Sequence, residues 1–260
     1  GKNILNRLGH IGLPDTQVAA REKLQNQRRK RIAPSHDEKC LCDWNSYLIS
    51  ALTEAAMTFG RKDWLNQAEE SFAAMEQGFY HDTELVHILS SGQQDVAAFL
   101  EDYCGFALAA LTLYSATGQS SYLQKAIELE VIIQRKFSAP DGGYYMTSAE
   151  VEGLISRPRP IADQATPSGN GLMATLLARL FLYSEDPVYQ KKADTLFHSF
   201  GGEVHKNIFP LGSFLNAFDD HISACTILIH SQREDLHKAV WENAPPQAVI
   251  KHARDPDEIS

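Results

Sequence analysis

Apolar residues return along this chain with the period of a helix, and they do so in two alternating styles. After Trp44 they fall at Tyr47, Leu48, Ala51, Leu52, Ala55 and Ala56, which is the i+3, i+4, i+7, i+8 spacing of one helical face. Residues 103–114 and 172–183 are apolar nearly all round, the mark of helices enclosed on every side. The helix expected after each of these carries a polar face instead: Glu69 and Glu70, then Lys125 and Glu128, then Lys191 and Lys192. Between the two styles lies a recurring turn. Phe59-Gly60-Arg61-Lys62-Asp63-Trp64, Thr117-Gly118-Gln119-Ser120-Ser121-Tyr122 and Ser184-Glu185-Asp186-Pro187-Val188-Tyr189 each end in an aromatic, with alanine four residues on at Ala68, Ala126 and Ala193. The period of about sixty residues defines an αα-hairpin: inner helix, tight turn, outer helix.

Strand-like pieces lie between hairpins, at residues 86–89 and 143–147, and are expected to form short β-ribbons leading into the next inner helix. A fourth inner helix is expected from Pro210 through Phe214 and Phe218 to Ile222. The pattern then changes to a β-run at 225–229, a helix at 234–242 and a strand at 247–251, a β-α-β appendix. The expected fold is mainly α, an incomplete (α/α)6 toroid. Its hairpin portion covers residues 1–222 and the appendix 223–254, with a frayed tail at 255–260.

Composition narrows the function. A hydrophobic share of 43% and a charged share of 22% describe a globular chain with a sizeable core. A net charge of -9 argues against nucleic acid, and the basic run Arg28-Arg29-Lys30-Arg31 suits a helix C-terminus better than a phosphate backbone. The chain lacks an apolar run long enough for a membrane span, and Asn6, Arg7 and His10 break any secretory signal, so the beginning reads as a chain entered partway. Cys40, Cys42, Cys104 and Cys225 lack metal or redox spacing and are expected to be thiols in a reducing, cytoplasmic setting. Neither a metal nor a cofactor is expected.

Polar residues gather where each inner helix begins: Asp43, Trp44 and Asn45; Glu101, Asp102 and Tyr103; Ser168, Gly169 and Asn170. Singly, Asp43, Glu101 and Ser168 read as helix caps. Taken together at one end of parallel helices, they suggest a binding cleft. The approach to the first inner helix adds Arg31, His36, Asp37 and Lys39; the approach to the third adds Arg157, Arg159 and Asp163. A sugar site needs an aromatic platform, polar groups for hydroxyls, and an acid and a base for hydrolysis or epimerisation. Asp37, Glu101, Asp102 and Asp163 are the candidate carboxylates, with His36 as the titratable partner. Trp44 and Tyr103 would form the platform. Arg31, Lys39, Asn45, Arg159, Ser168 and Asn170 would bind substrate. His81, His87 and His221 rank below these.

Three of these stretches resemble a known family. Arg31-Ile32-Ala33-Pro34-Ser35-His36-Asp37-Glu38-Lys39 leading to Trp44-Asn45, Leu100-Glu101-Asp102-Tyr103, and Asp163-Gln164-Ala165-Thr166-Pro167-Ser168-Gly169-Asn170 are similar to signatures of the thioredoxin-domain-containing proteins typified by spermatogenesis-associated protein 20. The resemblance implies a thioredoxin-like domain followed by a six-hairpin toroid related to glycosidases and N-acylglucosamine 2-epimerases. This chain departs from it in lacking a thioredoxin motif, in holding three hairpins and a fourth inner helix, and in Ser46 and Cys104 beside the matched motifs. It therefore resembles the C-terminal portion of such a protein, and the expected partners are a small sugar or glycoside, a missing N-terminal segment or a second copy. The leading expectation is a sugar-active enzyme region. The alternatives are a helical scaffold binding a protein, or an accessory to a redox domain.

Overall fold

A computed structural model describes residues 15–81, 84–89, 96–230 and 234–252. The chain divides into two compact units, Gly1–Glu38 and Lys39–Ser260. The first contains helix α1 (Asp15–Arg29), which closes on Arg28 and Arg29 as the dipole favours. Residues 17–38 are exposed. The proposed tail at 255–260 and the opening residues 1–12 lie outside the described residues.

The second unit begins with strand β1 (Cys40–Leu41) and the first hairpin, α2 (Cys42–Phe59) and α3 (Lys62–Gly78). Strands β2 (Tyr80–His81), β3 (Glu84–Leu85) and β4 (Ile88–Leu89) lead to the second hairpin, α4 (Leu100–Thr117) and α5 (Ser120–Phe137). The third is α6 (Gly169–Ser184) and α7 (Pro187–Ser199), followed by the short α8 (Gly201–Val204) and the fourth inner helix α9 (Gly212–Ser223). Strand β5 (Thr226–Ile229), α10 (Glu234–Asn243) and β6 (Val249–His252) complete the β-α-β appendix, whose strands pair in parallel from Thr226↔Val249 to Ile229↔His252. The hairpins, the fourth inner helix and the appendix all form where the periodicity places them.

The turn repeat has a geometric cause. The inner helix of each of the three hairpins stops on a left-handed residue: Gly60 at φ 64°, Gly118 at φ 69° and Glu185 at φ 60°. Glycine reaches that conformation without strain, while Glu185 does so with a side chain. Ala68, Ala126 and Ala193 are fully buried, so the small residue one turn after the aromatic lets each outer helix lie close to its inner partner. The inner helices pack in the order α2, α4, α6, α9, and each outer helix lies on its own inner one. Helix α4 sits between α2, α5 and α6, which is why residues 102–107 and 109–116 are all buried.

Of the expected ribbons, one forms and one does not. Strand β1 pairs antiparallel with β4 (Cys40↔Leu89, Leu41↔Ile88), and β2 with β3. Residues 143–147 contribute a single bridge, Ser138↔Tyr144. Side chains and loops have taken the backbone groups a ladder would need. The Asn170 amide accepts from Tyr144 N at 2.8 Å and donates to Tyr144 O at 3.0 Å. Met146 N donates to Pro158 O, and Leu100 N donates to Met146 O. Among the described residues, no helix is long and apolar enough to cross a membrane.

Candidate functional site

The beginnings of the inner helices meet at one end of the second unit, joined by carboxylates that cap across helices. Asp102, in the first turn of α4, accepts from Phe99 N at 2.7 Å and from Asp43 N, at the start of α2, at 3.0 Å. Glu101 accepts from Gly169 N, at the start of α6, at 3.2 Å. Asp163 accepts from Ser168 N at 2.9 Å and from Ser213 N, at the start of α9, at 2.7 Å; Ser213 Oγ also donates to it. Four helix starts are thereby tied in sequence, and the orphan N–H groups there supply the reason acidic residues stand at these positions. Gly169 makes the Glu101 contact possible, because a Cβ there would come within 2.9 Å of Glu101 Oε1 and 2.8 Å of Leu100 Cδ2.

Beyond capping, this end holds groups with unused capacity. Glu101 Oε2 is shielded from solvent and has no hydrogen-bond partner, and the nearby Tyr47 hydroxyl is in the same condition. Burial pushes the Glu101 carboxyl above its ordinary range, helped by the charges of Asp102 and Asp43. Burial raises Asp43 as well, with Asp102 adding to it. Burial, with Asp43 and Glu101 behind it, lifts the Tyr47 phenol.

His87 is the residue the sequence undervalued. Strand β4 pairs with β1, and Cys42 N donates to His87 O at 3.0 Å, so the connector is drawn across the start of α2. His87 Nδ1 then lies 2.9 and 3.0 Å from the two oxygens of Asp102, while Phe99 packs edge-on to the ring at 5.0 Å. The hydrogen bond to Asp102 raises the imidazole's pKa against the opposing effect of burial. A histidine–carboxylate pair of this kind orients the ring and turns Nε2 away from the carboxylate. No local motif marked His87, since its partner lies across a connector and a helix start.

Asp43, His87 and Asp102 each place a ligand atom within 4.8 Å of the others, which is metal-binding spacing. A cation there would have to displace the His87–Asp102 hydrogen bond and compete with the two backbone N–H groups that Asp102 caps. The donor set therefore serves the histidine better than a metal.

The other expected site residues are not brought to one place. Arg31, His36 and Asp37 are exposed in the first unit, and Lys39 opens the second. Trp44 is 59% exposed at the start of α2, and Asn45 Nδ2 donates to Leu41 O at 2.7 Å. Tyr103, expected as a platform, is instead a core residue: it is 2% exposed, packs on Phe137 at 5.4 Å and accepts from Leu85 N. Helical periodicity explains this, because Tyr103 shares the face of α4 that α5 covers. Ser168 caps its own helix by accepting from Gly171 N, and Asn170 is fully buried on backbone groups of Tyr144 and Pro160. Both hold structure in place of a ligand. Arg159 binds Asp141 and Gly142 O, and Arg157 binds Thr147 O while lying 4.1 Å over the ring of Tyr145. Burial pushes the Asp163 carboxyl up, but the hydrogen bonds from Ser213 and Ser168 outweigh it and hold the group below its usual range. His221 is bonded to Asp194 at 2.7 Å, as a satisfied helix residue should be.

Parallel inner helices backed by antiparallel outer ones define an (α/α)-toroid fold, and solved structures of that fold resemble this one. A GH76 α-mannanase of Bacteroides thetaiotaomicron superposes with a TM-score of 0.60 at 13% identity, covering 81% of this chain and 58% of that one. A D-mannose isomerase gives 0.51 at 20% identity over 64% of this chain and 46% of the other. The cellobiose 2-epimerase of Bacillus thermoamylovorans gives 0.51 at 14% identity over 64% and 46%. The chain's homologues by sequence include an uncharacterized protein of Caenorhabditis elegans, 28% identical over 74% of this chain and 27% of that protein, and human spermatogenesis-associated protein 20, 26% identical over 71% and 25%. The chain thus spans about a quarter of the length of these curated relatives. No protein-family model matches it.

Proposed function

We propose that this chain is a region of a sugar-active enzyme, isomerase- or epimerase-like or glycosidase-like, whose site lies at the N-terminal ends of α2, α4 and α6. The observation that carries the proposal is Glu101, a carboxyl with a solvent-shielded, unpartnered oxygen, beside an imidazole oriented by Asp102. A carboxyl whose pKa is raised keeps its proton to higher pH and can give it to a substrate, and an oriented histidine can take one. Both epimerisation and glycoside hydrolysis need such a pair. In this scheme Glu101 is the acid, His87 the base, Asp102 the positioning residue and Asp43 a second carboxylate. Trp44, exposed at the rim, offers a sugar-stacking face. The α-mannanase and the mannose isomerase of similar fold support the substrate class.

Thermal unfolding in a panel of mono- and disaccharides tests this. At least one sugar should raise Tm, and the rise should vanish in Glu101→Gln and in His87→Gln. Glu101→Gln keeps an acceptor for Gly169 N, so the unliganded variant should unfold within about 1 kcal/mol of the native protein, and a lost sugar response then reports on the site. A panel in which no sugar shifts Tm would sink the proposal.

A second reading has its own observation. Trp44 and Leu48 are both largely exposed on one face of α2, an inner helix, at 59% and 62%. An apolar inner-helix face of this sort suits a protein partner, whether a further hairpin segment, a second copy of the chain or a redox domain it assists. Capture of a stoichiometric protein partner that is lost in Trp44→Glu and unaffected by Glu101→Gln would favour that scaffold.

A further inference from the structure

A cavity of ≈260 Å³ lies at the other end of the inner helices, between the C-terminal halves of α2, α4 and α6 and the segment running from α10 to β6. From Glu101 to Thr112 on its wall is about 16 Å along α4, so this space is separate from the carboxylate cluster. Several of its polar groups are already engaged. Tyr183 OH donates to Ser115 Oγ, which also accepts from Ile250 N, and Thr112 Oγ1 donates to Leu108 O.

Two of the lining residues carry donors that have no acceptor of good geometry. Trp241 Nε1 is shielded from solvent without a hydrogen-bond partner. The Arg179 guanidinium, 28% exposed, approaches Asp220 through Nε at 3.9 Å, beyond hydrogen-bond length, and its terminal nitrogens carry no hydrogen bond among the described residues. A buried N–H without an acceptor is costly, and an arginine edge matches a planar carboxylate with two parallel N–H groups. Pro245, Pro246 and Val249 give the cavity an apolar side for a short carbon skeleton, while Glu54 stands on the wall as an acceptor. Its negative charge disfavours a doubly charged phosphate and suits a hydroxyl or ammonium.

We propose that this cavity binds a small monocarboxylate carrying a hydroxyl or ammonium group, with the carboxylate held by Arg179 and Trp241 Nε1 and the second group facing Glu54. Replacing Trp44 and Trp64 with phenylalanine leaves Trp241 as the single indole and makes it the reporter. Sodium lactate and glycine, each titrated separately, distinguish the hydroxyl from the ammonium, with inorganic phosphate as the contrasting anion. At least one of the two carboxylates should change Trp241 emission saturably. Arg179→Gln should weaken binding at least tenfold, and Trp241→Phe, read by calorimetry in the otherwise native protein, should do the same. Glu101→Gln should leave this binding intact, which keeps the result independent of the sugar proposal. A response to neither carboxylate, saturation by phosphate alone, or unchanged affinity in both variants overturns the inference. Should Arg179→Gln fail to fold by circular dichroism, Trp241→Phe, which removes the indole N–H and keeps an aromatic ring, decides alone.

Discussion

His87 and Tyr103 show how differently single residues can be disposed from what their neighbours in sequence suggest. His87 lies in a connector, yet a two-residue β-pairing brings it against Asp102, and that hydrogen bond raises its pKa. The sign of the consequence follows from linkage. A histidine with a raised folded pKa adds stability that is fully present below about pH 6.5, its unfolded value, and is lost as pH rises through the folded one. An NMR titration should place His87 above the ordinary histidine value and bring it down in Asp102→Asn. The gap in Tm between the native protein and His87→Gln should narrow as the pH passes upward through that folded pKa. A titration at or below the ordinary value would contradict the pairing. Tyr103 stands beside Asp102 in sequence, but a helix turns about 100° per residue, so one side chain reaches the helix start and the next enters the core.

Among elements, the approach of α9 to α6 is decided by a single missing methyl group. A Cβ on Gly171 would lie 2.8 Å from Ser213 Cβ and closer still to its hydroxyl, which Asp163 holds in place. Gly171→Ala should therefore cost about 1–3 kcal/mol through overpacking, seen as a lower urea midpoint. Ser213→Gly in the same chain should restore part of it; a double variant no better than the single would place the strain elsewhere. The helices themselves were legible because periodicity of 3.6 is a local property of the sequence, repeated about every sixty residues. The ribbon expected at 143–147 was not, because Asn170, more than twenty residues away, satisfies the backbone of Tyr144 that a partner strand would have used.

At the level of the whole molecule, one serine gathers several of the bonds that join the appendix to the toroid. Ser115 Oγ accepts from Tyr183 OH at 2.9 Å and from Ile250 N at 3.2 Å, and His252 reaches Ser115 O at 2.7 Å. Ser115→Ala orphans a buried phenol and a buried backbone N–H together. It should cost about 1–3 kcal/mol and raise amide exchange at residues 249–252 before the rest of the unit. Uniform loss of protection across α4 and α6 would show instead that the appendix has no separate attachment.

The carboxylate cluster joins these scales. Acidic residues at the helix starts were visible in the sequence, and so was their double meaning as caps or as chemistry. Most of that capacity proves to be capping, but across helices: Asp102 to α2, Glu101 to α6, Asp163 to both α6 and α9. By itself the sequence determined the hairpins, their order, the turns and the appendix, because each depends on side-chain period and turn chemistry within a few residues. Only the tertiary structure decided which oxygen is left without a partner, which histidine faces Asp102, and where Trp241 and Arg179 share a cavity. Those properties depend on hydrogen bonds and burial between segments tens of residues apart, and no local pattern along the chain encodes them.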